Sequence, residues 1–482
     1  MSELVLALDL GTTGARALLV DAGGRIRAGA YRTLGVRYPA PGRVEQDPAE
    51  MWETSIDLAR QALREAGAEA AEVAALGVVN QRSTTVAWDR QTGRPLAPAI
   101  GWQDQRTAER VAGFRAIGIP MTTLASATKL EWWMEHDRGL REAAAAGRLC
   151  VGNPDAWLTW KLTGGSAHVT DSSNASGTAL FDLNSGDWSP PLVELFKQDA
   201  KALPRIVPTS EVVGETPADL LGAPIPVAAR AGDQQAATFA QGAHAPGDAK
   251  LTLGTSAMLD LNTGGEVREA PPGTYALSLW TLGDGTRAFC LEATVITAGS
   301  AVDWLVELGI APDAQSLDRL AREAGSSAGV VFVPALQGLG TPFLDDGARG
   351  LIGGLTRGNG AGHLARAALD GVAHRCVDLT DALELPPAPL HVDGGLAQSG
   401  FLVQRIADLS GRSVLRAAET ETTALGSAFL AGLAVGIYAD PSECRVAAPP
   451  RAFEPTWDAA RRDEARAAWA RAVDRARSSP ES

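Results

Sequence analysis

The sequence predicts an α/β protein with two domains of related architecture. Apolar runs typical of strands alternate with segments of helical periodicity along the 482 residues. A strand, a Gly-Thr turn and a second strand occur near the start of the chain and again past its middle. The length also suits two or three domains, because a typical domain has ~150 residues.

The repeated unit is a hairpin rather than a strand followed by a helix. In the first copy, an apolar run at 5–8 leads into the turn Asp-Leu-Gly-Thr-Thr-Gly at 9–14, and a second strand follows at 15–20. In the second copy, a strand at 250–253 leads through Gly-Thr-Ser into a strand at 257–261. Two such copies predict two domains built on the same plan.

The domain boundaries follow from the position of the second copy. The small, Pro/Gly-rich segment at 242–247 is a plausible hinge. We therefore expect an N-terminal domain at 1–245, a C-terminal domain at 246–445 and a helical tail at 446–482.

Three segments predict helices between and after the strands. Apolar residues recur at helical spacing over 364–383, and an Ala/Arg-rich stretch at 457–477 predicts an amphipathic surface helix. The segment 422–439 has no charged residue, but it is shorter than a membrane span and contains three glycines. It is interpreted as a buried helix of a soluble protein.

Composition and charge exclude several classes of function. Hydrophobic residues make up 45% and charged residues 21% of the chain, which is typical of a globular protein. The net charge of −14 gives no electrostatic reason to expect a nucleic acid or an anionic membrane as partner. The four cysteines are far apart, and Glu3 stands where a signal peptide needs a base, so a cytoplasmic location is expected.

Three common catalytic motifs are missing. None of the five lysines follows a glycine, which excludes the P-loop of Walker-type NTPases. The six histidines show no metal-ligand spacing, so zinc chemistry is not expected. The G-x-S-x-G match at 325–329 follows a helical segment and precedes a strand, the reverse of a nucleophile elbow.

The turn at 9–14 has the residue types of a phosphate and metal site. Its glycines let backbone N–H groups approach a phosphate closely, and its two threonines add hydroxyl donors. Asp9 could hold Mg²⁺ through water, and Arg16 could reach a phosphate oxygen. The alternative is a tight turn with an aspartate cap. As a partner to the first, the turn at 254–256 suggests two phosphate loops that face each other across a cleft.

Two further junctions join a strand to a helix. Asp233 follows a predicted strand at 225–229, and it is either a helix N-cap or a general base that takes a proton from a substrate hydroxyl. The segment 392–397, Val-Asp-Gly-Gly-Leu-Ala, could seat a nucleotide at a helix N-terminus, or it is simply a tight connection.

Taken together, these motifs resemble the FGGY carbohydrate kinases, and within them the glycerol kinases. The resemblance covers nearly the whole chain to about Tyr438, and it rests on eight segments in the right order. They are Ala-Leu-Asp-Leu-Gly-Thr-Thr (7–13), Asn-Gln-Arg (80–82), Gly-Trp-Gln-Asp-Gln-Arg-Thr (101–107), Val-Thr-Asp-Ser-Ser-Asn-Ala-Ser (169–176), Gly-Asp-Gln-Gln-Ala-Ala (232–237), Gly-Leu-Ile-Gly-Gly-Leu-Thr-Arg-Gly (350–358), Val-Asp-Gly-Gly (392–395) and Thr-Ala-Leu-Gly-Ser-Ala (423–428).

The resemblance implies two actin-like, ribonuclease H-type domains around a central cleft that binds ATP, Mg²⁺ and a small polyol or sugar. It implies that the domain at 1–245 has the acceptor and phosphate sites and that the domain at 246–445 has the nucleotide site. It also implies Asp233 as the catalytic base, and Asp9 with Asp233 as metal ligands. The implied nucleotide-binding residues are Thr12, Thr13, Gly14, Arg16, Thr255, Gly299, Gly395 and Ser399. The implied substrate-binding residues are Arg82, Ser83, Trp102, Leu124, Asp233, Gln234 and Met258.

Three positions depart from the glycerol kinase pattern. The chain has Ser83 where those enzymes have a glutamate that grips a glycerol hydroxyl, Leu124 where they have a tyrosine, and Met258 where they have a phenylalanine wall. Losing a carboxylate and a phenol removes hydrogen bonds to one particular hydroxyl. An altered acceptor pocket that takes a longer polyol or a ketose is therefore expected.

Three other interpretations stay open. The first is a true glycerol kinase. The second is a non-catalytic sugar or nucleotide sensor on the same scaffold, against which the acids and both Gly-Thr turns argue. The third is an actin- or Hsp70-like ATPase, but no extra segment for a peptide or a polymer contact is visible. The sequence leaves a homo-oligomer open.

Overall fold

Two main sheets, each built around a hairpin, dominate the computed structural model, which describes residues 3–119 and 121–478. The strands are β1 (Leu4–Leu10), β2 (Gly14–Asp21), β3 (Ile26–Thr33), β4 (Val36–Arg37), β5 (Glu45–Gln46), β6 (Val73–Asn80), β7 (Val86–Asp89), β8 (Ala99–Ile100), β9 (Leu149–Gly152), β10 (Val169–Asp171), β11 (Phe181–Asp182), β12 (Asp187–Trp188), β13 (Arg205–Val207), β14 (Val227–Gly232), β15 (Ala249–Leu253), β16 (Ala257–Gly264), β17 (Thr274–Thr281), β18 (Arg287–Val295), β19 (Val331–Val333), β20 (Leu351–Gly353), β21 (Leu390–Asp393), β22 (Val414–Arg416) and β23 (Arg451–Phe453).

The helices are α1 (Pro48–Ala66), α2 (Ala108–Ala116), α3 (Ser126–His136), α4 (Arg138–Ala145), α5 (Pro154–Leu162), α6 (Ser172–Ser176), α7 (Pro190–Leu195), α8 (Ala218–Leu221), α9 (Asp233–Ala240), α10 (Gly299–Glu307), α11 (Ala314–Glu323), α12 (Ala361–Ala382), α13 (Gly400–Ser410), α14 (Thr422–Ala434) and α15 (Ala459–Ala476). Helix α1 shows how local chemistry sets such bounds. Asp47 accepts a hydrogen bond from the backbone N–H of Ala49, Pro48 begins the helix, and Gly67 ends it in the left-handed conformation.

The chain folds into two units. Unit 1 consists of Met1–Gly242, Leu277–Phe289 and Glu421–Ala447, and unit 2 consists of Ala243–Ala276, Cys290–Thr420 and Ala448–Ser482. Residues 1, 2, 120 and 479–482 lie outside the described residues, and with them a few residues of the predicted N-terminal domain and tail. The three-domain division in the sequence prediction, with its assigned roles, stays a prediction.

The main sheet of unit 1 has the strand order β14-β6-β1-β2-β3. The hairpin predicted at the start of the chain is confirmed, because β1 and β2 pair antiparallel with Asp9 opposite Arg16. Strands β6 and β14 run parallel to β1. The carboxyl ends of three adjacent strands therefore meet at one edge of the sheet, where a binding site is expected in an open α/β fold.

Helix α14 packs on this sheet although it comes from the far end of the chain. Ten of its thirteen residues are buried, as predicted for the uncharged segment. Small residues permit the contact, since a Cβ at Gly426 would collide with the carbonyl of Ala236 in α9. Within 3–119 and 121–478, no helix is long and apolar enough to cross a membrane.

The second main sheet, most of whose strands belong to unit 2, repeats the arrangement. Its strand order is β17-β18-β16-β15-β21-β22-β23, and β15 and β16 form the second predicted hairpin. Strands β21 and β22 continue the sheet parallel to β15. The predicted helices at 364–383 and 457–477 appear as α12 and α15, and Trp469 of α15 is buried. In both sheets, the first strand of the hairpin has its antiparallel partner on one side and two successive parallel strands on the other.

Candidate functional site

Three predicted site residues lie at the carboxyl edge of the unit 1 sheet: Asp9, Arg82 and Asp233. Asn80, which ends β6, is in register with Leu10 of β1 on one side and with Gly232 of β14 on the other. Asp9 stands just before the end of β1, Arg82 follows β6, and Asp233 follows β14. The sheet topology therefore brings together residues that lie more than 200 positions apart in the sequence.

Asp9, Arg16 and Glu421 form a charged group at this edge. The Arg16 Nη1 atom lies 2.6 Å from Glu421 Oε2 and 3.5 Å from Asp9 Oδ2. Burial raises the pKa of Asp9 to about 7; the Arg16 charge opposes this rise, and the Asp233 and Glu421 charges add to it. A cation next to Asp9 would favour its ionised form.

Glu421 was not among the predicted site residues. It directly precedes α14, whose packing on the sheet brings it to Arg16 across 405 positions. The available signal was an acid at the start of a helix that has no other charge. A local pattern does not report which distant strand such an acid will reach, so the sequence alone did not identify it.

The turn between β1 and β2 is closed by a hydrogen bond from the Gly11 N–H to the Gly14 carbonyl, 3.0 Å long. Trp102 Nε1 donates to Thr12 Oγ1 over 2.8 Å, so a predicted acceptor-binding residue is anchored to a predicted phosphate-binding residue. Thr13 is exposed, and Gly14 begins β2. Gly11 and Thr12 are half-buried and Gly14 is buried, so Thr13 is the exposed residue of this turn.

Asp233 is the first residue of α9, and Gly232 rather than Asp233 takes the N-cap position. Its Oδ1 atom lies 3.6 Å from Arg82 Nε and accepts a hydrogen bond of 2.9 Å from the Gln234 N–H. Gly232 makes this pairing feasible, because a Cβ there would lie 2.6 Å from Arg82 Cδ. The Asp233 side chain is 36% exposed, so a ligand can approach it.

The other predicted acceptor-site residues of unit 1 lie in three loops and one helix. Ser83 is buried with a φ of 65°, and its Oγ lies 3.5 Å from the Gly177 carbonyl. Trp102 and Leu124 are half-buried in loops, and Gln234 is the second residue of α9. Met258, the seventh residue of this set, belongs to unit 2 and lies on β16 opposite Thr252.

In unit 2, Thr255 and Gly299 are brought together. The Gly299 N–H donates to the Gly254 carbonyl over 2.9 Å, and the Ser300 N–H donates to the Thr255 carbonyl over 3.1 Å. A Cβ at Gly299 would lie 2.5 Å from the Gly254 carbonyl oxygen, so only glycine allows this approach. The side chain of Thr255 itself is exposed.

The other two predicted nucleotide residues of unit 2 follow β21. Strand β21 pairs with β15 so that Asp393 faces Thr252, which places Gly395 at the same sheet edge as the Gly-Thr turn. A Cβ at Gly395 would meet nothing within 4 Å, so the space above it is open. Ser399 caps α13 by accepting from the Leu402 N–H, and its hydroxyl donates to Asp318.

Asp9 and Asp233, the predicted metal ligands, are carboxylates at the same sheet edge and could hold Mg²⁺. Mg²⁺ binds through one or two carboxylates and otherwise keeps water and phosphate oxygens. Burial is the main cause of the raised pKa of Asp9, and the nearby charges of Asp233 and Glu421 add to it, so a divalent cation bound there would stabilise the ionised carboxylate. The described part of the chain contains no group of three or more His, Cys, Asp or Glu side chains arranged to hold a metal ion.

Family models match both halves of the chain. Residues 4–240 match the N-terminal domain of the FGGY family of carbohydrate kinases, and residues 249–435 match its C-terminal domain. The chain is 46% identical over 492 aligned residues to a glycerol kinase of Aromatoleum aromaticum, covering 98% of each sequence. It is 44% identical to a glycerol kinase of Thermus brockianus, covering 98% of this chain and 99% of that one.

Solved structures of carbohydrate kinases are also similar to this chain. A glycerol kinase of Plasmodium falciparum with ADP superposes with a TM-score of 0.92 at 27% identity, covering 99% of both chains. A xylulose kinase of Rhodospirillum rubrum superposes with a TM-score of 0.83 at 27% identity, covering 98% of both chains. The predicted α/β fold of two actin-like domains is thereby confirmed. The chain belongs to the FGGY family of carbohydrate kinases, and it is a phosphotransferase with an alcohol group as acceptor.

Proposed function

We propose that this enzyme transfers the γ-phosphoryl group of ATP to a terminal hydroxyl of glycerol. The observation that carries this proposal is the meeting of Asp9, Arg82 and Asp233 at the carboxyl ends of three adjacent strands, with Trp102 anchored beside them. Glycerol is the first candidate acceptor because relatives of 42–46% identity over nearly the whole chain are glycerol kinases.

Asp233 is proposed as the general base. Phosphoryl transfer needs a positioned nucleophile and charge neutralisation more than covalent help from the protein, and a carboxylate that accepts the hydroxyl proton completes the set. The Asp233 carboxylate is accessible, and helix α9 and Arg82 fix its direction. Arg82 and Gln234 would hold the acceptor hydroxyls, and the Trp102 indole would lie against its carbon chain.

The phosphates of ATP are assigned to two groups of residues. In unit 1, Thr12, Thr13, Gly14 and Arg16 offer backbone N–H groups, hydroxyls and a guanidinium around one turn. In unit 2, Thr255, Gly299, Gly395 and Ser399 are proposed as contacts to the rest of the nucleotide. Asp9 and Asp233 would hold Mg²⁺, which supplies positive charge to the phosphate oxygens when it is bound.

A longer polyol or a ketose is the second candidate acceptor. Ser83 is buried at the wall where a glutamate would grip a glycerol hydroxyl, and Leu124 and Met258 replace two aromatic side chains. Ser83 and Leu124 remove two polar partners of glycerol, and all three side chains are smaller than those that they replace. The same catalytic groups would then act on a larger acceptor.

A coupled assay of ADP release tests both acceptors in one experiment. Purified enzyme with MgATP is given glycerol, erythritol, ribitol, xylitol, xylulose and ribulose in turn, and kcat/KM is measured for each. We expect glycerol to give the highest kcat/KM. A higher value for a five-carbon acceptor would favour the second candidate, and no stimulation by any acceptor would favour the sensor interpretation.

A further inference from the structure

Lys129 is a fully buried lysine next to the proposed acceptor site. It lies in the first turns of α3, and none of its surface is accessible. Its Nζ atom donates to the carbonyl of Ser83 over 2.9 Å and contacts the carbonyl of Leu124 at 3.4 Å. One ammonium group thus joins the backbones of two residues proposed to line the acceptor pocket, although they are 41 positions apart in the sequence.

Burying this ammonium has a cost that packing alone does not offset. Burial lowers the pKa of Lys129 to about 7, with the Asp104 charge opposing this and the Arg106 charge adding to it. A methionine of similar length would fill the same volume without that cost. The hydrogen bonds that the ammonium makes are therefore the reason to look for a role beyond packing.

The backbone that Lys129 holds is in an unusual conformation. Ser83 has a φ of 65°, in the left-handed region that side-chain-bearing residues seldom adopt. Such a conformation persists only where the surroundings hold it, and it is frequent at binding sites. The Ser83 carbonyl accepts from Lys129 and lies 3.4 Å from the hydroxyls of both Ser126 and Thr85, so three donors surround it.

We propose that Lys129 is a positioning residue for the acceptor. By binding the carbonyls of Ser83 and Leu124, it fixes the wall of the acceptor pocket and so determines how tightly the polyol is held. It does not touch the reacting atoms, and the inference rests on the proposed kinase function. The residue acts on acceptor affinity and has no direct part in nucleotide binding or in proton transfer.

The test compares Lys129→Met with the matched control Thr128→Val in steady-state kinetics with glycerol and MgATP. Thr128 is its buried neighbour in α3 and donates to Thr107 and Ala125 rather than to the pocket residues. We expect Lys129→Met to raise the KM for glycerol about tenfold, because a hydrogen bond from a charged donor is lost, and to leave the KM for ATP within about twofold. The control is expected to leave both within about twofold.

A second pair of variants separates positioning from general loss of structure. Glycine adopts positive φ freely, so Ser83→Gly relieves the conformation that Lys129 holds. In the Ser83→Gly background, Lys129→Met is expected to raise the glycerol KM by less than about threefold, because the two substitutions act on one contact. A full tenfold effect in both backgrounds would overturn the proposal, as would equal increases in the KM values for glycerol and ATP.

Three further outcomes are informative. If Lys129→Met does not fold, Ser126→Ala replaces it, since this hydroxyl also reaches the Ser83 carbonyl; the expected rise in the glycerol KM is about twofold, and no rise overturns the proposal. An active wild type with an unchanged Lys129→Met variant defeats this inference alone. A wild type without acceptor-dependent turnover defeats the proposed function, and the inference with it.

Discussion

At the scale of single residues, the chemistry proposed for this enzyme depends on two acids and two arginines. Asp9 is opposite Arg16 on neighbouring strands, and Asp233 is paired with Arg82. Each acid thus has a cation close by, and each pair lies at the end of a buried strand. A phosphate that binds Arg16 must compete with Glu421, whose oxygen is 2.6 Å away.

The first prediction concerns the proposed base. Asp233→Asn keeps the shape of the side chain but cannot accept a proton, so kcat is expected to fall by about 10² to 10⁴. ADP affinity, measured by isothermal titration calorimetry, is expected to stay within about threefold, because the proposed role is in transfer. Asp57→Asn, on the exposed surface of α1, is the control. Near-normal turnover of Asp233→Asn would show that another group takes the proton.

The second prediction concerns Arg16. If its guanidinium contacts a phosphate, Arg16→Gln should raise the KM for ATP about tenfold or more, because a charge-assisted hydrogen bond is lost. The KM for glycerol should change little. Arg27→Gln removes an exposed arginine of the neighbouring strand β3 and is the matched control. An unchanged KM for ATP would mean that Arg16 has only the structural role of holding Asp9 and Glu421.

At the scale of secondary-structure elements, helix packing fixes where Asp233 stands. Helices α9 and α14 touch through small residues, and Gly426 lies against the backbone of Ala236. Since Asp233 begins α9, any shift of this helix moves the proposed base.

The third prediction tests this contact. Gly426→Ala places a methyl group on the Ala236 carbonyl, so we expect a loss of about 1–3 kcal/mol in the free energy of unfolding and a lower kcat. Gly113→Ala is a matched control in helix α2, because a Cβ there meets nothing within 4 Å. It should be neutral or stabilising by about 0.5–1 kcal/mol. Chemical denaturation and turnover assays of both variants measure these effects. Equal free energies of unfolding and equal kcat values for the two variants would contradict the prediction.

Another contact between elements gives a prediction about pH. Asp155 in α5 is buried and accepts a hydrogen bond of 2.6 Å from Thr170 in β10. Burial raises the pKa of Asp155 to about 7, the Asp171 charge adds to this, and Thr170, the Ala156 N–H and Arg230 oppose it. The folded chain therefore keeps a proton that the unfolded chain loses near pH 4.

Protonation of Asp155 makes the stability of the protein depend on pH. Between about pH 4 and 7 the folded state binds more protons than the unfolded state, so this group makes the protein less stable as the pH rises. Asparagine at position 155 does not titrate. The free energy of unfolding of Asp155→Asn should therefore rise relative to that of the wild type by up to about 1.4 kcal/mol per pH unit from pH 5 to 7. Urea unfolding at pH 5, 6 and 7 measures this, and parallel pH profiles for the two proteins would contradict it.

At the scale of the whole molecule, local patterns predicted the hairpins, the two Gly-Thr turns and the uncharged helix. These features depend on neighbours in the sequence, and the structure has each of them. Local patterns could not predict that residues 421–447 join unit 1, because packing of α14 on the sheet is a long-range contact. Glu421 was missed for this reason, and so was the burial of Lys129 under Ser83 and Leu124.

The roles of the site residues depend on more than the fold. Family membership is shown by matches over both halves of the chain, whereas the acceptor, Mg²⁺ and the individual contacts are proposals. The assignment of the acceptor site to residues 1–245 and of the nucleotide site to residues 246–445 also stays a prediction. Ser83, Leu124 and Met258 are where the choice between glycerol and a longer acceptor will be decided.

Direct observation of phosphoryl transfer tests the central claim. Enzyme, Mg²⁺, glycerol and ATP labelled at the γ-phosphate are incubated together, and the label is followed by chromatography. We predict that it moves to glycerol 3-phosphate in the wild type and stays on ATP in Asp233→Asn. Label that appears only as inorganic phosphate, or transfer that is equal in both proteins, would contradict the account.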